Sequence, residues 1–207
     1  MNIPSLQECE NIWELYSVPD TVRAHSKAVC KLATGIANII KNNGVDLNVD
    51  VVDRASLLHD IFRSKSFNDR KSFLESLSEE RQKFLEQKFD QYHGITHGVA
   101  AYHELKDKYP EVASVVGAHS DIIQNVKNYS IEQLIVNYSD KRVTHDQYVT
   151  IDERFDDGAK RWGCDDAKLI EAAKNSAKQT EAYLFKLMGD TYNPGDLDPI
   201  LNYGETE

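Results

Sequence analysis

Six histidine and aspartate residues dominate the chemistry that this sequence could perform. In chain order they are His25, His59, Asp60, His97, His119 and Asp140. A single histidine on an apolar helix face is usually a hydrogen-bonded core residue. Imidazoles and carboxylates buried together, however, are costly unless something satisfies them. A divalent cation would do so, because neutral imidazole nitrogen and carboxylate oxygen are ligands that such ions prefer, and the set therefore predicts a metal site.

Other kinds of catalytic site find no support in the sequence. It has no Gly-rich phosphate-binding loop and no serine nucleophile motif. Its three cysteines, Cys9, Cys30 and Cys164, are far apart and lack the spacing of metal ligands. We interpret them as small hydrophobic residues of a reducing compartment. Water is therefore the predicted nucleophile.

The charge balance limits the class of substrate. Lys and Arg number 24 against 34 Asp and Glu, which gives a net charge of -10. Such a surface repels a polyanion, so we expect no long nucleic-acid partner. A small phosphorylated substrate remains compatible, because a bound cation and a few basic side chains outweigh a diffuse negative field. Arg23, Arg63 and Lys141 lie close in sequence to predicted ligands and are candidates to bind phosphate, or else belong to solvated helix ends.

The periodicity of apolar residues predicts the helices that position these side chains. An amphipathic helix that carries His25 is expected between Pro19 and Gly44. Asn48 is a predicted cap of a second helix, which ends near His59 and its neighbouring aspartate. Ser130 and Thr150 match the capping-box pattern that opens a helix. Further helices are predicted from His93 or Thr96 to Lys108, and over about 110–119, 131–143, 151–162 and 165–188.

These elements predict one all-α domain over residues 1–188, because no strand-type alternation occurs. Residues 64–89 are charged, with spaced phenylalanines, and we interpret them as a helical insertion directly after Asp60. The insertion is either a lid over the site or a surface elaboration. Residues 189–207 lack periodicity and predict an extended or disordered tail. No segment reaches the length of a membrane span, so we expect a cytoplasmic protein without a membrane partner.

The six residues and their surroundings resemble the HD superfamily of metal-dependent phosphohydrolases. That family has a His, a His-Asp pair and a distant Asp, with two more His between them in dinuclear members. The matching segments are VPDTVRAHSKAV, ASLLHDIFR, HGITHGVAAYHEL, VVGAHSD and LIVNYSDKR. The resemblance covers residues 17–162. It departs from the common pattern at Phe62, where many members carry Gly, and this change is expected to reshape the pocket wall.

The resemblance implies a helical bundle of the HD type and a residue-by-residue ligand set. One metal would be held by His25, His59, Asp60 and Asp140. Asp60 would also bridge to a second metal and orient the attacking water as a catalytic residue. The second metal would be held by His97 and His119. One or two divalent ions are expected, either transition metals (Mn, Fe, Co, Ni or Zn) or Mg²⁺.

His93 is an alternative to His97, because four residues separate the two, which is one helical turn. It could be the ligand, a phosphate-binding neighbour or a bystander. We prefer His97 on its spacing to His119. His103 and His145 match no motif and are interpreted as surface residues or as residues that support the ligands without binding the metal.

The resemblance implies a hydrolase that acts on a small phosphorylated substrate, with a nucleotide preferred. A non-catalytic regulatory module that binds metal or nucleotide is the alternative, for which a broken ligand set or an attached effector domain would be expected. A purely structural role for the histidines requires six matching positions by accident. A related oxygenase group uses a similar constellation with two irons, so the ligands alone leave the metal open. The oligomeric state is open as well.

Overall fold

A computed structural model describes residues 2–162 and 166–204 of the protein. Gly163, Cys164 and Asp165, at the predicted junction of the last two long helices, lie outside the described residues, as do residues 205–207. The described chain is predominantly helical, so the predicted all-α class is confirmed. None of its helices combines the length and the apolar character that a membrane crossing needs.

The α-helices follow one another with short connections. They are α1 (Leu6–Leu15), α2 (Asp20–Asn42), α3 (Val49–Leu58), α4 (Arg70–Glu75), α5 (Glu79–Gln91), α6 (His97–Leu105), α7 (Pro110–Ala118), α8 (Ile131–Asp140), α9 (Ile151–Trp162), α10 (Ala167–Met188) and α11 (Asp198–Leu201). Short 3₁₀ helices span Arg63–Ser66 and Val126–Asn128. The central helix is α2, which packs against α3, α8, α10 and α11.

The predicted helix starts are confirmed by their caps. The Asn48 side chain accepts hydrogen bonds from the first turn of α3. Ser130 and Gln133 form a reciprocal capping box at α8. The side chains of Thr150 and Glu153 bond each other's backbone N–H in the same way at α9. Local polar side chains therefore fix where these helices begin.

A short β-hairpin follows α8 and was not predicted. Strand β1 (Val143–Thr144) pairs antiparallel with β2 (Gln147–Tyr148), so α8 ends at Asp140 rather than near residue 143. At His145 the turn has a φ of 56°, a left-handed conformation that is uncommon for a residue other than Gly. Two-residue strands are too short to show the alternation that marks a strand in sequence.

The insertion forms the short helices that were predicted, α4 and α5. The rings of α5 pack on the base of the domain, since Phe89 lies 6.4 Å from Phe62 and Phe84 lies 5.9 Å from Tyr16 between ring centroids. Phe62 is fully buried and also contacts Tyr16 and Tyr92. Phe62 therefore holds the insertion against the domain through its contact with Phe89. It does not line the cavity, so the expectation that it reshapes the pocket wall is wrong.

Residues 189–204 form defined structure, so the prediction of an extended or disordered tail over 189–207 is wrong for this described part. Helix α11 packs against α2, and Ile200 is buried. Gly35 of α2 makes this contact possible, because a Cβ there would lie 2.4 Å from the Ile200 carbonyl oxygen. The apolar residues of this segment, Leu197, Ile200 and Leu201, are few but have helical spacing.

Candidate metal centre

All six predicted ligands meet in one buried region because five different helices end or pass there. His25 projects from α2, and Asp140 is the last residue of α8. The C-cap residues of α3 and α7 are His59 and His119. The remaining two predicted ligands are Asp60, which directly follows His59, and His97, which is the first residue of α6.

The first group of side chains surrounds His59. Its Nε2 lies 3.7 Å from Asp60 Oδ2 and 3.7 Å from Asp140 Oδ1. The same Asp140 oxygen lies 3.1 Å from His25 Nε2. Ligand atoms of His25, His59 and Asp60 all lie within 4.8 Å of one another. Two imidazole nitrogens and two carboxylates therefore face a common point.

The second group shares Asp60 with the first. The Oδ1 atom of Asp60 lies 3.1 Å from His97 Nε2 and 3.7 Å from His119 Nε2. Those two nitrogens are 3.1 Å apart. Since Oδ2 of the same carboxylate faces His59, its two oxygens point toward different groups. This is the arrangement that a bridging carboxylate needs.

Backbone carbonyls fix the orientation of three of the imidazoles. The Nδ1 atoms of His59 and His119 lie 2.7 Å from the carbonyl oxygens of Ser56 and Val116, each three residues earlier at the end of its helix. His25 Nδ1 lies 2.9 Å from the His145 carbonyl oxygen. A carbonyl only accepts, so each Nδ1 carries the proton. The Nε2 atoms of His59 and His119 then present their lone pairs to the centre, while His25 Nε2 faces the Asp140 carboxylate.

The charges of the centre suit a cation. Burial lowers the pKa of His119 to about 3 and also lowers the pKa of His59, so both rings are neutral near pH 7. Burial alone would raise the pKa of the Asp60 and Asp140 carboxyls, but the surrounding imidazoles hold both well below the usual value. For His25, burial alone would lower the pKa, but the hydrogen bond and charge of Asp140, the charge of Asp60 and the His145 carbonyl together raise it. Two carboxylates thus stand ionised among nitrogen lone pairs.

The side chains fit a divalent metal ion. His59 Nε2 is buried and has no hydrogen-bond partner among the described residues. An unsatisfied buried nitrogen of this kind costs free energy that a metal–nitrogen bond recovers. The close approach of the His97 and His119 nitrogens has the same explanation, since both are positioned to bind one ion.

A cavity of about 920 Å³ opens onto the centre. Arg63 lines it, and no hydrogen bond or ion pair joins its guanidinium to the described residues. Lys141 lines it as well, but its ammonium donates to Asn137 Oδ1 at 2.7 Å, Asn137 O at 3.1 Å and His119 O at 3.3 Å. Burial lowers the pKa of Lys141 to about 8. All three of its protons are used within the protein, which makes Arg63 the better phosphate-binding candidate.

Two predicted substrate-binding residues lie elsewhere. Arg23 donates to the Val18 carbonyl at 2.7 Å and to Glu14 at 2.6 Å, away from the cavity. His93 is exposed and lies outside α6, because Gly94 has a φ of 81° and Thr96 caps that helix. His93 and His97 therefore do not share a helix face, and the structure places only His97 in the centre. His103 is exposed and stacks on Tyr92.

Sequence reasoning missed Arg154, and it gave His145 only as a surface residue or a residue that supports the ligands. Arg154 of α9 lines the cavity, and its charge helps to lower the pKa of Asp140. His145, at the hairpin turn, lines the cavity and also holds His25 through its carbonyl oxygen. Neither residue has a local motif, so only the fold brings them to the site.

The insertion reaches the cavity only at its beginning. Ser66, Phe67 and Asn68 contribute to the lining, whereas no residue of α4 or α5 does so. Helix α4 packs instead beside the 3₁₀ helix Arg63–Ser66, and Phe89 of α5 packs against Phe62. The lid interpretation therefore applies to residues 66–68 and not to the helical part of the insertion.

A family model described as HD domain matches residues 22–144, which is more than half of the chain. The matched range includes all six residues of the centre. No curated protein and no solved structure gives a significant match.

Proposed function

Because the chain belongs to the HD domain family of metal-dependent phosphohydrolases, we propose that it hydrolyses a small phosphorylated substrate, with a nucleotide preferred, by attack of water. The observation that carries the proposal is the pair of histidine groups that share Asp60. The unsatisfied His59 Nε2 at their junction supports it, because this nitrogen needs a partner that the described residues do not provide.

In this proposal His25, His59, Asp60 and Asp140 hold one divalent ion. A second ion is held by Asp60, His97 and His119. When bound, such ions lower the pKa of a water molecule and neutralise charge on a phosphoryl group. The low pKa of the Asp60 carboxyl leaves it ionised, so it accepts a hydrogen bond from the attacking water and orients it.

The cationic side chain of Arg63 binds the phosphate oxygens. It lies three residues after Asp60, and its backbone N–H donates to the Asp60 carbonyl at 2.9 Å, which fixes its position beside the centre. A guanidinium offers paired donors that match two phosphate oxygens. During hydrolysis a water oxygen bonds to phosphorus and the water gives up a proton, the bond to the leaving oxygen breaks, and the leaving oxygen takes up one proton in exchange.

The proposal is tested by metal analysis joined to a phosphate-ester screen. The purified chain is reconstituted separately with Mn²⁺, Fe²⁺, Co²⁺, Ni²⁺, Zn²⁺ or Mg²⁺ and desalted. We expect about one to two ions per chain, because these ligands are too many for one tetrahedral structural site. With at least one metal, nucleoside monophosphates or aryl phosphates should release phosphate. A protein that retains none of these metals would contradict the proposal.

The same screen separates the enzyme from a non-catalytic regulatory module. Such a module would bind nucleotide stoichiometrically but form no product with any of the six metals. Asp60→Ala would then change its affinity for nucleotide and nothing else. For an enzyme, the same variant loses turnover altogether.

A further inference from the structure

One part of the cavity wall is apolar, although the cavity opens onto a charged centre. Leu169 and Ile122 line it, and they are 48% and 36% exposed. The other exposed large hydrophobic residues of the described chain, Leu6 and Leu15, lie apart on α1. Single exposed hydrophobic residues are normal on a protein surface, but two in the wall of one cavity indicate a ligand surface.

Aromatic rings line the same cavity. Phe155 belongs to α9, which packs against α10, and Phe67 lies at the start of the insertion. Ile170 and Ala173 of α10 also line the cavity. Aromatic and aliphatic side chains that line one cavity suit the flat face of a ligand ring. Such a ring buries a large apolar area and loses little conformational entropy when it binds.

The cations of the described lining are few. They are Arg63, Lys141 and Arg154. The Lys141 ammonium donates its hydrogen bonds to Asn137 and to the His119 carbonyl. The positive charge of Arg154 helps to lower the pKa of the Asp140 carboxyl. Arg63 therefore remains for the substrate, together with any metal in the centre. A polyphosphate chain brings several further negative charges, which the net charge of -10 disfavours.

We propose that the cavity takes a phosphate ester with a single phosphoryl group and a ring-bearing organic part, whose ring lies against Ile122 and Leu169. The inference rests on the proposed function for the position of the phosphoryl group at the metal centre. It adds the substrate class, because an aryl or nucleobase-bearing monophosphate fits the wall and a polyphosphate does not. The volume of about 920 Å³ leaves room for such a ring beside the phosphoryl group.

The test uses two phosphonates that differ only in the apolar group, phenylphosphonate and methylphosphonate. Both have a P–C bond in place of an ester, so binding to the Mn²⁺-loaded protein can be measured by calorimetry without turnover. We expect phenylphosphonate to bind at least about ten-fold more tightly, from burial of the ring surface. Leu169→Gln should remove most of this preference while leaving methylphosphonate affinity unchanged. Leu15→Gln, the same change on α1, should leave both affinities unchanged.

Three outcomes would overturn the inference. The first is equal affinity for the two phosphonates. The second is an unchanged preference in Leu169→Gln. The third is tighter binding of pyrophosphate, added as its manganese complex, than of phenylphosphonate.

The proposed function fails differently, through the absence of turnover with every metal and ester. A preference for phenylphosphonate in a protein without turnover would still support the ring-binding wall. Conversely, if the protein hydrolyses phosphate esters but binds both phosphonates equally, only the proposed ring-binding wall is refuted.

Discussion

The buried metal centre and a second, partly buried polar cluster differ in how their polar atoms are satisfied. In the second cluster, the Glu104 carboxylate of α6 accepts hydrogen bonds from the hydroxyls of Tyr16 and Tyr92. It also accepts from Lys88 Nζ at 2.7 Å. We call these four residues the Glu104 cluster. In the metal centre, by contrast, His59 Nε2 has no partner among the described residues, and two other imidazole nitrogens face each other.

The difference shows how a structural cluster is told from a ligand site. The Glu104 cluster has as many donors as its carboxylate needs, so it is complete and joins α1, α5 and α6. The metal centre has an excess of acceptors, because backbone carbonyls already bind the Nδ1 protons of three histidines. Only an added cation or proton balances that excess. The predictions below test this contrast.

Removing the shared carboxylate should have the largest effect. In Asp60→Ala both histidine groups lose an oxygen, so we expect turnover at background and loss of bound metal. Wild-type protein should gain about 2.7 kcal/mol of unfolding free energy from Mn²⁺ at a hundred times its Kd, and the variant should gain none. Metal content and thermal unfolding measure this. Asp60→Ala protein with normal metal content would disprove the bridging role.

The matching change in the Glu104 cluster should affect stability alone. Glu104→Ala leaves two hydroxyls and one ammonium without their acceptor, which we expect to cost about 3 kcal/mol of unfolding free energy. Bound metal per chain should stay at the wild-type value. Urea unfolding and metal analysis on the same sample check both statements. Metal loss in this variant would mean that the two clusters are coupled.

The Arg63 guanidinium should matter for phosphate and not for metal. Arg63→Ala is expected to lose about 1.5 to 3 kcal/mol of transition-state stabilisation, or about ten- to hundred-fold in kcat/KM, the usual value of a hydrogen bond to a charged group. Metal content should be unchanged. Arg23→Ala is the control, since Arg23 bonds Glu14 away from the cavity. Equal losses in the two variants would remove Arg63 from the substrate site.

Acidification should weaken the Glu104 cluster. Partial burial would raise the pKa of Glu104, but hydrogen bonds from Lys88, Tyr16 and Tyr92 hold it below the usual value. A carboxyl with a lowered folded-state pKa stabilises the protein above its unfolded-state pKa and loses that contribution as the pH falls through the folded value. The stability difference between wild type and Glu104→Gln should therefore shrink as the pH is lowered below about 4, the ordinary range of a glutamate. A constant difference would exclude this role.

The six members of the centre were predicted from residue types that suit metal ligands and from their resemblance to the HD pattern. His59 and His119 lie at the C-caps of α3 and α7, where apolar periodicity predicted the helix ends. The capping residues predicted the starts of the helices equally well. Local rules therefore determine most of this all-α fold and the positions of its ligands.

Side-chain direction was the part that sequence could not supply. Arg23 is two residues from His25, and residues two apart on a helix do not face the same side, so it points away. Lys141 turns back toward Asn137, one turn earlier in the chain. Arg154 belongs to a later helix and reaches the cavity only through packing. Proximity in sequence to a ligand is thus a poor guide to the substrate site.

The smallest effect is expected at His145, where the backbone and not the side chain serves the centre. Its carbonyl accepts from His25 Nδ1, and its φ of 56° is a strained conformation for any residue but Gly. His145→Gly keeps the carbonyl and relieves the strain, while the more flexible unfolded chain offsets that gain. Unfolding free energy should change by less than about 1 kcal/mol, and metal content not at all. Metal loss in His145→Gly, measured after desalting, would instead make this imidazole a ligand and the centre larger than six residues.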